Sequence, residues 1–170
     1  MEIIKEIYEG DIGFKTIEDR ISYSLRKAAR AVIINSSNQI AVLYVSKDNY
    51  HKLPGGGVEE QESVREALER EVLEEVGAKI NVFSEVGVTI EYRDQHKLLQ
   101  ISYCYLAHII ELAKPNFTNE EISDGFELKW FKIDEALETM KNDQPTNYVG
   151  KFIQVRDLEF LQKAICHPIN

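Results

Sequence analysis

The residues best suited to chemistry lie in one stretch. Residues 55–78 read Gly-Gly-Gly-Val-Glu-Glu-Gln-Glu-Ser-Val-Arg-Glu-Ala-Leu-Glu-Arg-Glu-Val-Leu-Glu-Glu-Val-Gly-Ala. Ser63 with Glu66 three residues on forms a capping box, and Gly77 is a natural C′ stop, so a helix is predicted from about Val64 to Val76. On a wheel of ~100° per residue with Val64 at zero, Ala67, Leu68 and Val72 fall within about 80° and define the buried stripe. Glu71 and Glu75 fall within about 20° of Val64, inside that stripe, with Glu74 beside them. Like charges at i and i+4 repel, and acids in the last turn oppose the helix dipole at roughly 0.3–1 kcal/mol each. A helix that breaks its own periodicity, charge pairing and dipole preference at one spot has a reason beyond folding.

A hard divalent cation supplies such a reason. Mg²⁺ takes oxygen ligands and favours one or two carboxylates together with waters and substrate phosphates. Glu71, Glu74 and Glu75, at i, i+3 and i+4, project to one spot, and a cation there would offset their repulsion. The glycine run upstream lets the backbone approach a metal and phosphates closely. It is no Walker loop, because no Gly-Lys-Ser/Thr follows. Glu59, Glu60, Glu66 and Glu69 read as an ordinary solvated face.

These residues resemble a known family. Gly56, five residues, Glu62, seven residues, then Arg70-Glu71-Val72-x-Glu74-Glu75-x-Gly77-Ala78 is similar to the 23-residue Nudix box. Gln61 stands where Gly is commonest before the glutamate, and Ala78 is small for the last aliphatic position. The resemblance implies an α/β fold, a Nudix-type α/β/α sandwich with a mixed sheet, and a hydrolase of nucleoside diphosphates linked to another group, dependent on Mg²⁺ or Mn²⁺. It implies that Glu71, Glu74 and Glu75 coordinate metal with help from the Gly55 carbonyl. Glu71 or Glu74 would be the base for the attacking water, Arg70 would orient the neighbouring glutamate, and Glu62 would brace Arg70. Gly56 and Gly77 would be structural. The substrate stays open among oxidised deoxynucleoside triphosphates, nucleotide sugars and dinucleoside polyphosphates, as does a catalytically silent nucleotide-binding domain. The position 15 residues beyond Gly77, often Pro in ADP-ribose hydrolases, is Tyr92. Dimers are common among members, so a homodimer is compatible with the resemblance.

The surrounding chain must position this helix. Residues 29–35 and 39–45 read as strands joined by the hairpin residues Ser36-Ser37-Asn38. Two further strand-like stretches, about 80–93 and 97–110, flank the polar Arg93-Asp94-Gln95-His96. In the second, Leu99, Ile101, Tyr103 and Tyr105 alternate with Gln100, Ser102 and Cys104, the mark of a half-buried strand. Residues 127–133 are another strand carrying the only Trp, Trp130; Asp134 is expected to cap a short helix through Met140, and Tyr148–Ile165 has helical spacing. Arg30, Tyr44, Lys52 and Arg93 are candidate base or phosphate contacts, each equally at home as an ordinary strand or loop residue. Glu120, Glu121 and Asp124 fall in a polar segment read as a solvated loop, although some Nudix members place a further carboxylate there. Trp130 and His108 read as core or strand residues.

Composition limits the partners. The 170 residues carry 20 Lys plus Arg against 29 Asp plus Glu, a net charge of −9, with 44% hydrophobic residues. That length fits one domain, 1–170, and the charge argues against long nucleic acid and anionic membranes. Eight of the acids lie between residues 59 and 75, so the acidity is concentrated where a cation would receive an anionic substrate. Cys104 and Cys166 form no CxxC pair and read as reduced thiols. The charged N-terminus lacks an apolar h-region, and the run Ile101–Ile110 is too short to span a bilayer. A cytoplasmic protein acting on a small nucleotide is expected.

Overall fold

The computed structural model describes residues 1–16 and 20–166. Seven strands form a mixed sheet: β1 (Ile3–Ile7), β2 (Ser24–Ile34), β3 (Gln39–Val45), β4 (Tyr50–Lys52), β5 (Ala78–Arg93), β6 (Leu98–Leu112) and β7 (Phe126–Lys132). The order is β1-β5-β6-β2-β3-β4, with β7 also paired to β3. β1–β5 and β2–β6 are parallel, whereas β5–β6, β2–β3, β3–β4 and β3–β7 are antiparallel. The helices are α1 (Val64–Glu75), α2 (Asn119–Ser123), α3 (Ile133–Asn142) and α4 (Tyr148–Ile165).

Helices cover both faces of the sheet. On one face Ala67, Leu68 and Val72 of α1, with Val76, pack on Ala29, Ala31 and Ile33 of β2 and Ala41 of β3. The alanines keep this layer thin, which brings the helix axis close to the sheet. On the other face Met140 of α3 and Phe160, Leu161 and Ala164 of α4 pack on Val32, Ile34, Val42 and Leu106. The capping box at α1 forms as expected: Ser63 Oγ accepts from Glu66 N–H, and the Glu66 carboxylate accepts from Ser63 N–H at 2.8 Å. Gly77 follows the helix at φ 71°, and a Cβ there would lie 2.5 Å from the Lys114 carbonyl carbon, so the stop is enforced by packing as well as by conformation.

Three expectations need correction. β6 does alternate, but its polar side is the inward one: Gln100, Ser102 and Cys104 are fully buried, while Leu99, Ile101, Tyr103 and Tyr105 are only partly so. At Gln100 and Ser102 the buried face meets the Glu91 carboxylate of β5, while Cys104 and Leu106 further along belong to the hydrocarbon core. Asp134 lies inside α3; the cap is Lys132, whose N–H donates to Glu135. The segment around Glu120 and Glu121 is the short helix α2, capped by Thr118. β1 and β4 have no counterpart in the sequence reading, because five and three residues are too few to show a period. Among the described residues no helix is long and apolar enough to cross a membrane.

Candidate active site

α1 enters the site with its last two turns, and the Gly55–Gly57 run passes across them. Glu75 occupies the azimuth of the buried stripe and is fully buried. Its Oε1 accepts from Lys52 Nζ at 2.7 Å and its Oε2 from Gly55 N–H at 2.6 Å. Burial raises its pKa above the ordinary carboxylate value, against the pull of Lys52 and the Gly55 N–H. Gly56 lies against Glu71: a Cβ on Gly56 would fall 2.1–2.4 Å from the Glu71 carboxylate. The glycine run is thus what lets two carboxylates and a backbone loop share one space.

Arg70 braces the helix to the loop. Nε and Nη2 hold both Glu62 oxygens at 2.9 and 3.0 Å, Nη1 donates to Glu71 Oε1 at 2.8 Å, and Nη2 also donates to the Gly57 carbonyl at 3.0 Å. Glu62 raises the Arg70 pKa, and Arg70 together with the Glu59 N–H holds Glu62 below its ordinary value. This fork geometry matches a bidentate guanidinium–carboxylate pair. Glu74 points elsewhere on the turn, with Arg70 Nη1 3.8 Å from its Oε2. Burial and then the neighbouring Glu71 raise its pKa.

A third carboxylate arrives from α2. One oxygen each from Glu71, Glu75 and Glu121 lie within 4.8 Å of one another. Three hard oxygen donors at that spacing, beside a glycine backbone, form a donor set that suits a divalent cation. The sequence favours a solvated loop for Glu121, with a further metal or base carboxylate as the alternative. The signal that could have found it is Thr118-x-x-Glu121, the same capping-box pattern as Ser63-x-x-Glu66. Glu121 Oε2 accepts from Thr118 N–H at 2.7 Å and from its hydroxyl at 2.9 Å, so the cap also fixes where the carboxylate points. Asn116 N–H donates to the Glu74 carbonyl at 2.8 Å and Ala113 N–H to the Gly77 carbonyl at 2.8 Å, fastening the approach to α2 onto the end of α1.

The cleft of about 340 Å³ over these groups is lined by Glu71, Glu75, Glu120, Glu121 and Asp124 together with Arg26, Arg30 and Lys52. Of the candidate substrate contacts, Arg30 and Lys52 line it. Tyr44 does not line it; its hydroxyl pairs with Asn49 and Lys129 sits over its ring. Arg93 is buried behind the cleft, donating to Glu91 at 2.8 Å. Asp124 lines the cleft and is paired with Lys47 at 2.6 Å. Trp130 packs against the α1-side core and His108 stacks on Phe83. Cys104 is buried, and burial pushes its thiol pKa up, which makes it an inert core residue.

A mixed sheet between helices, with an acidic helix end facing a glycine loop, defines a Nudix-type α/β fold. A NUDIX domain family model matches residues 24–149, and the chain belongs to the Nudix family of hydrolases. Human diphosphoinositol polyphosphate phosphohydrolase 3-alpha is 29% identical over 126 residues, covering 72% of this chain and 73% of that protein. A Nudix hydrolase from Nitrosomonas europaea superposes with TM-score 0.60 at 16% identity, covering 86% of this chain and 94% of the other. An ADP-ribose pyrophosphatase from Streptococcus suis gives TM-score 0.53 at 20% identity, with coverage of 84% and 93%.

Proposed function

We propose that this hydrolase cleaves a diphosphate linkage in a nucleoside diphosphate derivative, an oxidised deoxynucleoside triphosphate being one candidate, with Mg²⁺ or Mn²⁺ as cofactor. The observation that carries the reading is the convergence of Glu71, Glu75 and Glu121 with Arg26, Arg30 and Lys52 in one cleft. Glu71, Glu75 and Glu121, with the Gly55 backbone, are the groups that would hold a cation. A divalent cation there supplies Lewis-acid polarisation of phosphoryl oxygens and charge neutralisation. Glu71 or Glu74 accepts the proton of the attacking water, a role worth about 10²–10⁴-fold. Arg70 fixes the Glu71 rotamer, and Lys52 holds Glu75 beside the Gly55 N–H. In this reading the protein acts on small molecules in the cytoplasm, with long nucleic acid and membranes outside its range.

A second substrate class is favoured by one observation. The curated relative named above acts, by its name, on diphosphoinositol polyphosphates, and three cations in one cleft suit a densely phosphorylated ligand. The test is a turnover panel with Mg²⁺: oxidised triphosphates, nucleotide sugars, dinucleoside polyphosphates and diphosphoinositol polyphosphates, read as phosphate products. Glu75→Gln and Glu74→Gln are expected to lose most turnover while keeping the fold. No turnover of any substrate by the wild type would overturn the hydrolase reading in favour of a silent binding domain.

A further inference from the structure

Beside the cleft, the α4 side of the sheet gathers four arginines, and not all of their donors find acceptors among the described residues. Arg26 and Arg30 on β2, Arg93 at the end of β5 and Arg156 on α4 gather around Glu91 and Asp157, with Glu71 and Glu75 of α1 also acting on Arg26 and Arg30. Glu91 accepts from Arg93 Nη2 at 2.8 Å and from Gln100 Nε2 at 2.6 Å, and Arg156 Nη1 lies 3.7 Å away. Asp157 accepts from Arg156 Nε at 2.6 Å and from the Leu53 N–H at 2.8 Å. Arg26 donates to the neutral Gln100 at 3.1 Å, and Arg30 donates only to its neighbour's backbone, the Ala29 carbonyl, at 2.8 Å.

Arg30 is 4% exposed and lines the cleft, yet its Nε has no partner among the described residues, and neither does Nε of Arg93. Burial and then Arg156 lower the Arg30 pKa to about 10, and Arg26 is lowered by burial and by Arg93 and Arg156. A buried donor without an acceptor carries its full desolvation cost, and at Arg30 the repulsion of Arg156 and Arg26 is set against the attraction of Asp157 and Glu75. An anion entering from the cleft would give Arg30 Nε an acceptor and add a countercharge beside it.

We propose that Arg26 and Arg30, backed by Arg93 and Arg156, form an anion subsite that receives a phosphate group of the substrate distinct from those at the Glu71–Glu75–Glu121 cluster. This rests on the hydrolase reading and narrows it. The preferred substrate carries a phosphate beyond the cleaved linkage, as triphosphates, dinucleoside polyphosphates and diphosphoinositol polyphosphates do and as nucleotide sugars do not. In this arrangement the Glu71–Glu75–Glu121 cluster serves the scissile group, and Arg26 with Arg30 serves the extra phosphate.

The test separates binding from turnover. Inorganic pyrophosphate and tripolyphosphate are titrated calorimetrically into the folded full chain in EDTA at low salt. Wild type is expected to bind both. Arg26→Gln and Arg30→Met should each weaken binding about tenfold or more, from the loss of a charge-assisted hydrogen bond. Glu121→Gln should tighten it, because it removes a repelling charge. If Arg30→Met fails to fold, Arg26→Gln, whose side chain reaches solvent, decides the matter. No wild-type binding, or wild-type affinity in the arginine variants, overturns the subsite. Arginine-dependent binding without any Mg²⁺-dependent turnover keeps the subsite and removes the hydrolase reading.

Discussion

Asp157→Asn removes a charge while nearly preserving a shape. Asp157 serves two donors at once, Arg156 Nε through Oδ1 and the Leu53 N–H through Oδ2. An amide presents its single oxygen to only one of them. Burial works against the Arg156 charge, and Asp157 and Glu91 more than restore it. Without Asp157 that fully buried guanidinium keeps only Glu91, at 3.7 Å. Orphaning one member of a buried pair costs about 3–5 kcal/mol, and the residual Glu91 contact places this case near 3 kcal/mol. At roughly 2–4 °C per kcal/mol for a domain of this size, the melting temperature falls by about 6–12 °C. Thermal and urea unfolding of Asp157→Asn, Arg156→Met and the double variant test the reasoning. The double variant should lose markedly less than the sum of the singles, because removing both charges removes the orphan. Additivity within about 0.5 kcal/mol would refute it, since uncoupled sites add to that tolerance.

Other outcomes follow from the same geometry. Gly56→Ala drives a Cβ into the Glu71 carboxylate; turnover should fall at least about tenfold, while circular dichroism and urea midpoints stay close to wild type. Arg70→Lys keeps the charge but loses the fork that joins Glu62, Glu71 and the Gly57 carbonyl; kcat should drop about tenfold or more with KM little changed, and an equal loss in both would contradict a positioning role. Burial would raise the pKa of Glu91, but Arg156 and Arg93 hold it below the ordinary value. Its contribution to stability is therefore present above an unfolded-state pKa of about 4.3 and is lost as pH falls through the lower folded value. Glu91→Gln should flatten the stability loss between pH 5 and 3 in urea titrations, and an unchanged acid limb would count against the pairing.

The helix that carries the acids was legible because its rules are local. Ser63, Glu66 and Gly77 mark its ends, and the wheel places Glu75 on the buried stripe, where the structure also has it. Arg70 and Glu62 are in contact, as the resemblance implied. Glu121 was legible only as the less favoured alternative to a solvated loop residue, because its approach to Glu71 depends on how the chain after β6 folds back onto the end of α1. The inward polar face of β6 was hidden for a related reason. Alternation shows that a strand has two faces, but which face is interior is set by Arg156 and Asp157, more than fifty residues away. The short strands β1 and β4 gain their identity from neighbours rather than from pattern.

The face shared by β2 and β6 changes character along its length. Near Ile34 it is hydrocarbon, with Val32 opposite Leu106; toward Ser24 it is polar, with Arg30 opposite Cys104 and Arg26 opposite Gln100. The parallel pairing runs through eleven consecutive partners, and a slip by two residues would keep every side chain on its own face. In a uniformly apolar pair such a slip would cost little. Here it would set Arg30 against Leu106 in one direction, or draw Arg26 away from Gln100 toward Leu98 in the other. The ionic half thus acts as a ruler for the strand: the residues that leave charge waiting beneath the cleft also count off where the chain must stop.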